Sequence, residues 1–129
     1  MSEQNVNTVR AAYQAFQRGD VDAVKSLLHP ELEILQCPSL PWGGHYKGPQ
    51  GALDFFRRIK EAVHSVFEPE TLLDSGDAVV AIGHAHGTVN RTGKAFRVSA
   101  VHVWRIHEGR ALRFEAFIDA PAMLRHLGG

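Results

Sequence analysis

Apolar residues recur at helical spacing in the first part of the chain. Val6, Val9, Tyr13 and Phe16 form one stripe, with Ala12 beside them, and this spacing predicts a first helix. Gly19 ends it, and Asp20 is suited to cap a short second helix that stops before Pro30. A strand is expected at 32–36, then a loop at 38–49 that is rich in glycine and proline. A third helix is predicted from about 49 to 66.

Strand patterns replace helical ones in the second part of the chain. Strands are predicted at 67–73, 78–89, 94–107 and 110–118, joined by Gly- and Asn-rich turns, before a final helical turn or two at 120–127. Helices followed by hairpin-linked strands predict an α+β fold, in which an antiparallel meander curls over the helices.

Side-chain alternation separates the two faces of these strands. On 94–107 the face expected to be covered carries Phe96, Val98, Ala100, His102, Trp104 and Ile106. On 78–89 one face carries the small or apolar residues Val79, Ala81, Gly83, Ala85, Gly87 and Val89, and the other carries Val80, Ile82, His84, His86 and Thr88. The small residues suit the close approach of a second subunit, so a homodimer through the outer face of the sheet is expected.

Composition narrows the class of protein. The 129 residues predict one domain spanning 1–129, with 44% hydrophobic residues and no formal net charge. With no basic stripe and no long apolar run, neither nucleic acid nor a membrane is an expected partner. The absence of a signal peptide and the single cysteine, Cys37, favour a reducing cytoplasm.

Asp119 and His102 are the strongest candidates for chemistry. Asp119 ends a largely apolar strand, and His102 lies between valines on the neighbouring one. A buried carboxylate with a raised pKa could transfer protons, while a neutral imidazole could stabilise an enolate oxygen. The alternatives are structural: Asp119, just before Ala120 and Pro121, could cap the last helix, and His102 could be a satisfied core residue.

Other residues suggest a pocket or a metal site more weakly. His84 and His86 could join His102 in a three-nitrogen zinc site, but the pattern lacks support and we expect no metal or other cofactor. Trp42 and Tyr46 could form a lid or simply pack their loop down. The residues predicted to contact a substrate are Tyr13, Phe16, Trp42, Tyr46, Phe56, His84, Trp104, Glu115 and Phe117.

Four segments together resemble SnoaL-like proteins of the NTF2-like superfamily, which includes ketosteroid-isomerase-related proteins and polyketide cyclases. They are 13–21 (YQAFQRGDV), 40–49 (LPWGGHYKGP), 101–109 (VHVWRIHEG) and 117–124 (FIDAPAML). The resemblance implies a cone of three helices in a strongly curved antiparallel sheet, a deep apolar pocket and a dimer. It also implies that Asp119 matches the acid/base of the cyclases, and that His102 lines the pocket.

The steroid isomerases and related enzymes differ from this chain at key positions. The isomerases have an aspartate before a proline where Cys37 precedes Pro38, and no Asp-Arg-Asp set like that of limonene-epoxide hydrolase can be assembled. His84, His102 and Tyr13 are loosely similar to the scytalone-dehydratase set. We therefore expect a cofactor-free isomerase, cyclase or dehydratase acting on a small hydrophobic carbonyl compound. The alternative is a non-catalytic small-molecule binding protein of the same fold.

Overall fold

The structure, a computed structural model, describes residues 2–128 and has helices packed in a curved, unclosed sheet. The elements in chain order are α1 (Ser2–Arg18), α2 (Val21–Ser26), β1 (Leu28–Gln36), β2 (Gly44–Lys47), α3 (Gly48–Ala62), β3 (Val63–Asp74), β4 (Ala78–Val89), β5 (Ala95–His107), β6 (Arg110–Ile118) and α4 (Ala120–Gly128). The predicted α+β class is confirmed.

The six strands form a single sheet in the order β2-β1-β6-β5-β4-β3. Strands β3 to β6 form the predicted antiparallel meander. The sheet is antiparallel as expected except at one pairing: β1 runs parallel to β6, with Ile34 opposite Phe114. This pairing brings the first strand of the chain beside the last.

The second and third helices end earlier in the chain than predicted, because the strands that follow them begin sooner than the local pattern suggests. The second helix ends at Ser26, and β1 begins at Leu28 and continues through Pro30. The third helix ends at Ala62, since Val63 is already paired with Val89 of β4. Part of the predicted loop is also a strand, β2, which pairs with β1.

The inner face of the sheet is the one predicted for β5. Phe96, Val98 and Ala100 are buried there, and each is paired with a residue on the small-residue face of β4. That face of β4 therefore lies inside the fold, and the expectation that it meets a second subunit is wrong. It is small because the strands approach closely: a Cβ at Gly83 would lie 2.0 Å from the Glu68 carbonyl oxygen on β3.

Helix capping follows the sequence. The Asp20 carboxylate accepts a hydrogen bond from the Ala23 amide at 3.1 Å, and Pro49 lies in the first turn of α3. Within residues 2–128, no helix combines the length and apolar character needed to cross a bilayer. The helices and the inner sheet face together enclose a cavity.

Candidate functional site

A cavity of about 570 Å³ lies between the helices and the inner face of the sheet. This volume falls in the usual range for small-molecule sites. Its exposed lining residues are at the end of α1 and just after it (Phe16, Gln17, Arg18, Gly19), at the end of α3 (Lys60) and at the start of β3 (His64). The cavity therefore opens where these three ends meet, and its deeper walls are apolar and aromatic.

A chain of hydrogen bonds crosses the cavity wall from β5 to α1 and back. The indole Nε1–H of Trp104 donates to the hydroxyl oxygen of Tyr13 over 2.8 Å. The same hydroxyl lies 2.7 Å from Nδ1 of His102. His102 and Trp104 lie two positions apart on β5, and Tyr13 reaches both from the apolar stripe of α1.

The tautomer of His102 follows from which neighbouring groups can donate and which can accept a hydrogen bond. The Tyr13 hydroxyl has one proton, and His102 Nδ1 is the acceptor within reach of it among the described residues. Donation from Tyr13 to Nδ1 satisfies that buried proton, so Nε2 of His102 carries the imidazole hydrogen. Nε2 makes no hydrogen bond to another described residue, and His102 lines the cavity. The site thus offers a ligand one imidazole N–H.

Burial keeps His102 neutral. Desolvation lowers the pKa of His102 from its usual value to about 3. The ring retains a partly accessible surface, but that surface faces the cavity, and Phe67 and Phe114 lie 4.0 and 4.8 Å away between ring centroids. A neutral imidazole in such surroundings is a hydrogen-bond donor and a weak base.

Tyr13 is held in its neutral form as well. Burial raises the pKa of the Tyr13 hydroxyl strongly, and the hydrogen bond from Trp104 offsets only part of that effect. The phenol therefore keeps its proton for His102 throughout the neutral pH range. Its ring packs edge-on against Trp104 with 5.4 Å between centroids.

Five of the predicted site residues besides His102 line the cavity: Tyr13, Phe16, Trp42, Phe56 and Trp104. Phe16 and Phe56 form an edge-to-face pair, with 4.7 Å between centroids, near the opening. Sequence reasoning missed Gln36, Phe67 and Phe114, which also line it. The apolar alternation of β6 could have indicated Phe114, whereas no local signal pointed to Gln36.

Asp119 lies elsewhere, and the expectation that it projects into the cavity is wrong. Its side chain is exposed, and Oδ1 accepts a hydrogen bond from the Ala122 amide at 3.1 Å. Asp119 is thus the N-cap of α4, as the structural alternative required. No Asp or Glu is among the residues that line the cavity in the described part of the chain.

Four further candidates point away from the cavity. The Tyr46 hydroxyl lies 3.0 Å from the carbonyl oxygen of Trp42, so Tyr46 packs its loop down. Glu115 is next to Arg113, with 3.3 Å between Oε1 and Nε, and Phe117 is 56% exposed; both alternate with the inward residues of β6. His84 lies on the outer face of β4, opposite Glu68.

The three-nitrogen zinc site is excluded by the same alternation. His102 is paired with Ala81 on the inner face, whereas His84 and His86 lie on the outer face of β4. The sheet therefore separates His102 from the other two imidazoles. His84 and His86 instead lie near Glu68 and Glu70 of β3.

The sequence model of the SnoaL-like domain family matches residues 9–114. The chain belongs to the SnoaL-like domain family. This match covers most of the chain, from the second half of α1 to the middle of β6, and includes Tyr13, His102 and Trp104. No curated protein sequence gave a match.

Solved structures support the same assignment. An NTF2-like protein of unknown function from Burkholderia pseudomallei is 28% identical, with 98% of each chain covered and a TM-score of 0.90. An NTF2-like protein from Burkholderia thailandensis is 31% identical over 95% of each chain, with a TM-score of 0.87. TerC, co-crystallised with polyporic acid, is 25% identical, with 98% and 99% covered and a TM-score of 0.90. More distant structures share the fold: a SnoaL-like protein from Jannaschia and a protein from Catenulispora acidiphila with a ketosteroid isomerase-like fold.

Proposed function

We propose that this SnoaL-like protein binds a small, largely apolar carbonyl compound in its cavity. The observation that carries the proposal is the hydrogen-bond chain from Trp104 through Tyr13 to His102 inside an aromatic cavity of about 570 Å³. The chain leaves one imidazole N–H free for a ligand. An apolar pocket with a few fixed polar groups is the usual design of a small-molecule site.

His102 is the specificity-determining contact in this proposal. Its Nε2–H donates to the carbonyl oxygen of the ligand, and the Tyr13 hydroxyl holds the ring in the tautomer that allows this. A ligand lacking an acceptor would leave the N–H unpaired in apolar surroundings, which is unfavourable by about 1–3 kcal/mol. The remaining affinity comes from contact with the aromatic walls.

A second candidate is catalysis by the same contact. A neutral imidazole donor that polarises a carbonyl stabilises a developing enolate, which is the first step of isomerisation, cyclisation or dehydration. The depressed pKa of His102 and its apolar surroundings support this role. The base that removes the proton would be a group of the ligand itself or a water molecule entering through the cavity opening, since Asp119 lies outside the cavity.

Ligand titration of three variants tests the binding proposal. The probes are polyporic acid, the compound co-crystallised with TerC, and the fluorophore 8-anilinonaphthalene-1-sulfonate. Ala116 is buried opposite His102 and lines the cavity, so Ala116→Leu narrows the space beside the imidazole and weakens the binding of both probes. His102→Gln weakens polyporic acid by about tenfold or less, the share of one hydrogen bond. His107→Gln, exposed on the same strand, leaves binding unchanged.

Binding that survives Ala116→Leu unchanged contradicts the proposal, since the probes then sit elsewhere. Catalysis is separated from binding by NMR of a bound ketone in D2O. Exchange of hydrogen for deuterium next to the carbonyl, lost in His102→Gln and kept in His107→Gln, supports the enzyme. Binding without exchange supports the binding protein.

A further inference from the structure

Two imidazoles and two carboxylates meet on the outer face of the sheet, on the far side from the cavity. His84 and His86 lie on β4, and Glu68 lies directly opposite His84 on the neighbouring strand β3. Glu70 is the extra residue where the register of these strands shifts between Pro69 and Thr71. A bulge of this kind re-aims a side chain, here beside His84.

The ligand-type atoms are arranged around one point. Oε2 of Glu68 lies 3.1 Å from Nε2 of His84 and also 3.1 Å from Nε2 of His86. All three atoms lie within 4.8 Å of one another. Two ligands of a tetrahedral zinc ion are roughly 3.3 Å apart, given metal–ligand distances of about 2.0–2.1 Å. The spacing of Glu68 to each histidine therefore already approaches that of a coordinated set.

The ring nitrogens are poorly satisfied by protein atoms alone. Nδ1 of His84 and Nε2 of His86 are both buried, and each lies near a glutamate oxygen without forming a well-aligned hydrogen bond. The two rings lie 5.4 Å apart between centroids, close enough for both to reach one ion. A metal ion would supply the missing partner of His86 Nε2, because it binds a neutral imidazole through its lone pair.

We propose that Glu68, His84 and His86 bind one divalent zinc-type metal ion on the outer face of the sheet. Glu70 is a positioning residue: its Oε2 lies 3.4 Å from Nδ1 of His84, on the side of the ring away from the ion. A carboxylate behind a ligating histidine fixes its orientation and raises its basicity. Three protein ligands leave a fourth position for water.

The charges around the site are compatible with a cation. Glu68 and Glu70 supply two carboxylates. Arg97 is paired with His86 across the β4–β5 ladder and is exposed. The ion also has a structural consequence. Because β3 is an edge strand, coordination would cross-link it to β4 beside the bulge.

Titration of the tag-free protein with Zn²⁺, followed by calorimetry, tests this site, and Co²⁺ absorption reports the geometry. The wild type binds one Zn²⁺ per chain and gives the visible bands of four-coordinate cobalt. His86→Gln and Glu68→Gln each lower the affinity by at least about a hundredfold, because a ligand is lost, and Glu70→Gln lowers it by about tenfold. Zn²⁺ raises the melting temperature of the wild type and of His45→Gln, and raises that of His86→Gln and Glu68→Gln far less.

The control is His45→Gln. His45 also contacts a glutamate, with 2.8 Å between its Nε2 and Oε1 of Glu33. This pair is not part of the cluster of Glu68, His84 and His86. This variant keeps the affinity and the cobalt bands. Equal zinc affinity in His86→Gln and wild type, with both folded by circular dichroism in EDTA, overturns the proposal. Failure of the wild type to take up zinc at submillimolar concentration does so as well.

Discussion

The Tyr13 hydroxyl lies 2.7 Å from Nδ1 of His102, although 89 positions separate the two residues in sequence. This contact joins the first helix to β5 and fixes which imidazole nitrogen faces the cavity. Its removal should therefore affect both stability and ligand binding. Tyr13→Phe keeps the ring and deletes only the hydroxyl.

Tyr13→Phe should lower the free energy of unfolding by about 1–3 kcal/mol, because Trp104 Nε1–H and His102 Nδ1 lose their partner while buried. Urea denaturation measures the change. Tyr46→Phe is the matched control: that hydroxyl contacts loop carbonyls near the surface, and its loss should cost less. Equal losses for both variants would show that the buried hydrogen bonds of Tyr13 contribute no more to stability than the hydrogen bonds of Tyr46.

Acid should destabilise the protein through His102. The folded-state pKa is about 3, below the ordinary value of 6.5, so the unfolded state binds a proton that the folded state refuses. The stability that neutral His102 contributes is fully present above pH 6.5 and is lost as the pH falls toward 3. Within that window the loss is about 1.4 kcal/mol per pH unit. His102→Gln, compared with wild type by urea denaturation at several pH values, should show a shallower slope; parallel curves would contradict the assignment.

Asp119 should matter for stability and not for the cavity. Asp119→Ala removes the cap of α4 and should cost about 0.5–2 kcal/mol in thermal or urea denaturation. Asp119→Asn keeps a good cap and should be nearly neutral. Both variants should bind cavity ligands as the wild type does. A loss of ligand binding or turnover in Asp119→Asn would instead restore the role that the family resemblance implied.

Close contact between β3 and β4 predicts intolerance of side chains at two glycines. A Cβ at Gly83 or Gly87 would lie 2.0 or 1.8 Å from a backbone oxygen of β3. Gly83→Ala and Gly87→Ala should each destabilise by about 1–3 kcal/mol or more, measured by thermal unfolding. Gly128→Ala, with no atom within 4 Å of the new Cβ, should leave the melting temperature unchanged.

Dimerisation through the outer face of the sheet remains a prediction. The residues now expected at the interface are not the small residues of β4, which face inward. Phe117 and Ile82 are 56% and 39% exposed on the outer face of the sheet. A second copy of the chain packed there would cover them. Phe117→Glu should shift the protein toward monomer in sedimentation velocity, whereas Leu124→Glu, 38% exposed on α4, should not. A wild-type monomer at all concentrations would contradict the prediction.

Much of the fold was predictable because its signals are local. The stripe that holds Tyr13 and the alternation that places His102 and Trp104 together follow from helical and strand periodicity. The cap residues were visible as well. The sites of Asp20 and Asp119 at the starts of helices are encoded by the residue type and its immediate neighbours.

The remaining features depend on pairings that leave no local trace. Both faces of β4 carry apolar residues, so alternation alone could not show that Ala81 faces inward and Ile82 outward. The parallel pairing of β1 with β6 is equally invisible, since the strands are far apart in sequence. The bulge at Glu70, which brings a second carboxylate to His84, is a property of the β3–β4 register.

The parallel pairing of β1 with β6 also constrains how the protein is made. During synthesis β1 leaves the ribosome early and has no sheet neighbour on that side until Arg110–Ile118 has emerged. Until then Leu32 and Ile34, almost fully buried in the finished fold, lack part of their cover. A chain shortened before Arg110 would therefore leave this edge of β1 unpaired, whereas the pairing of β1 with β2 needs only the residues up to Lys47.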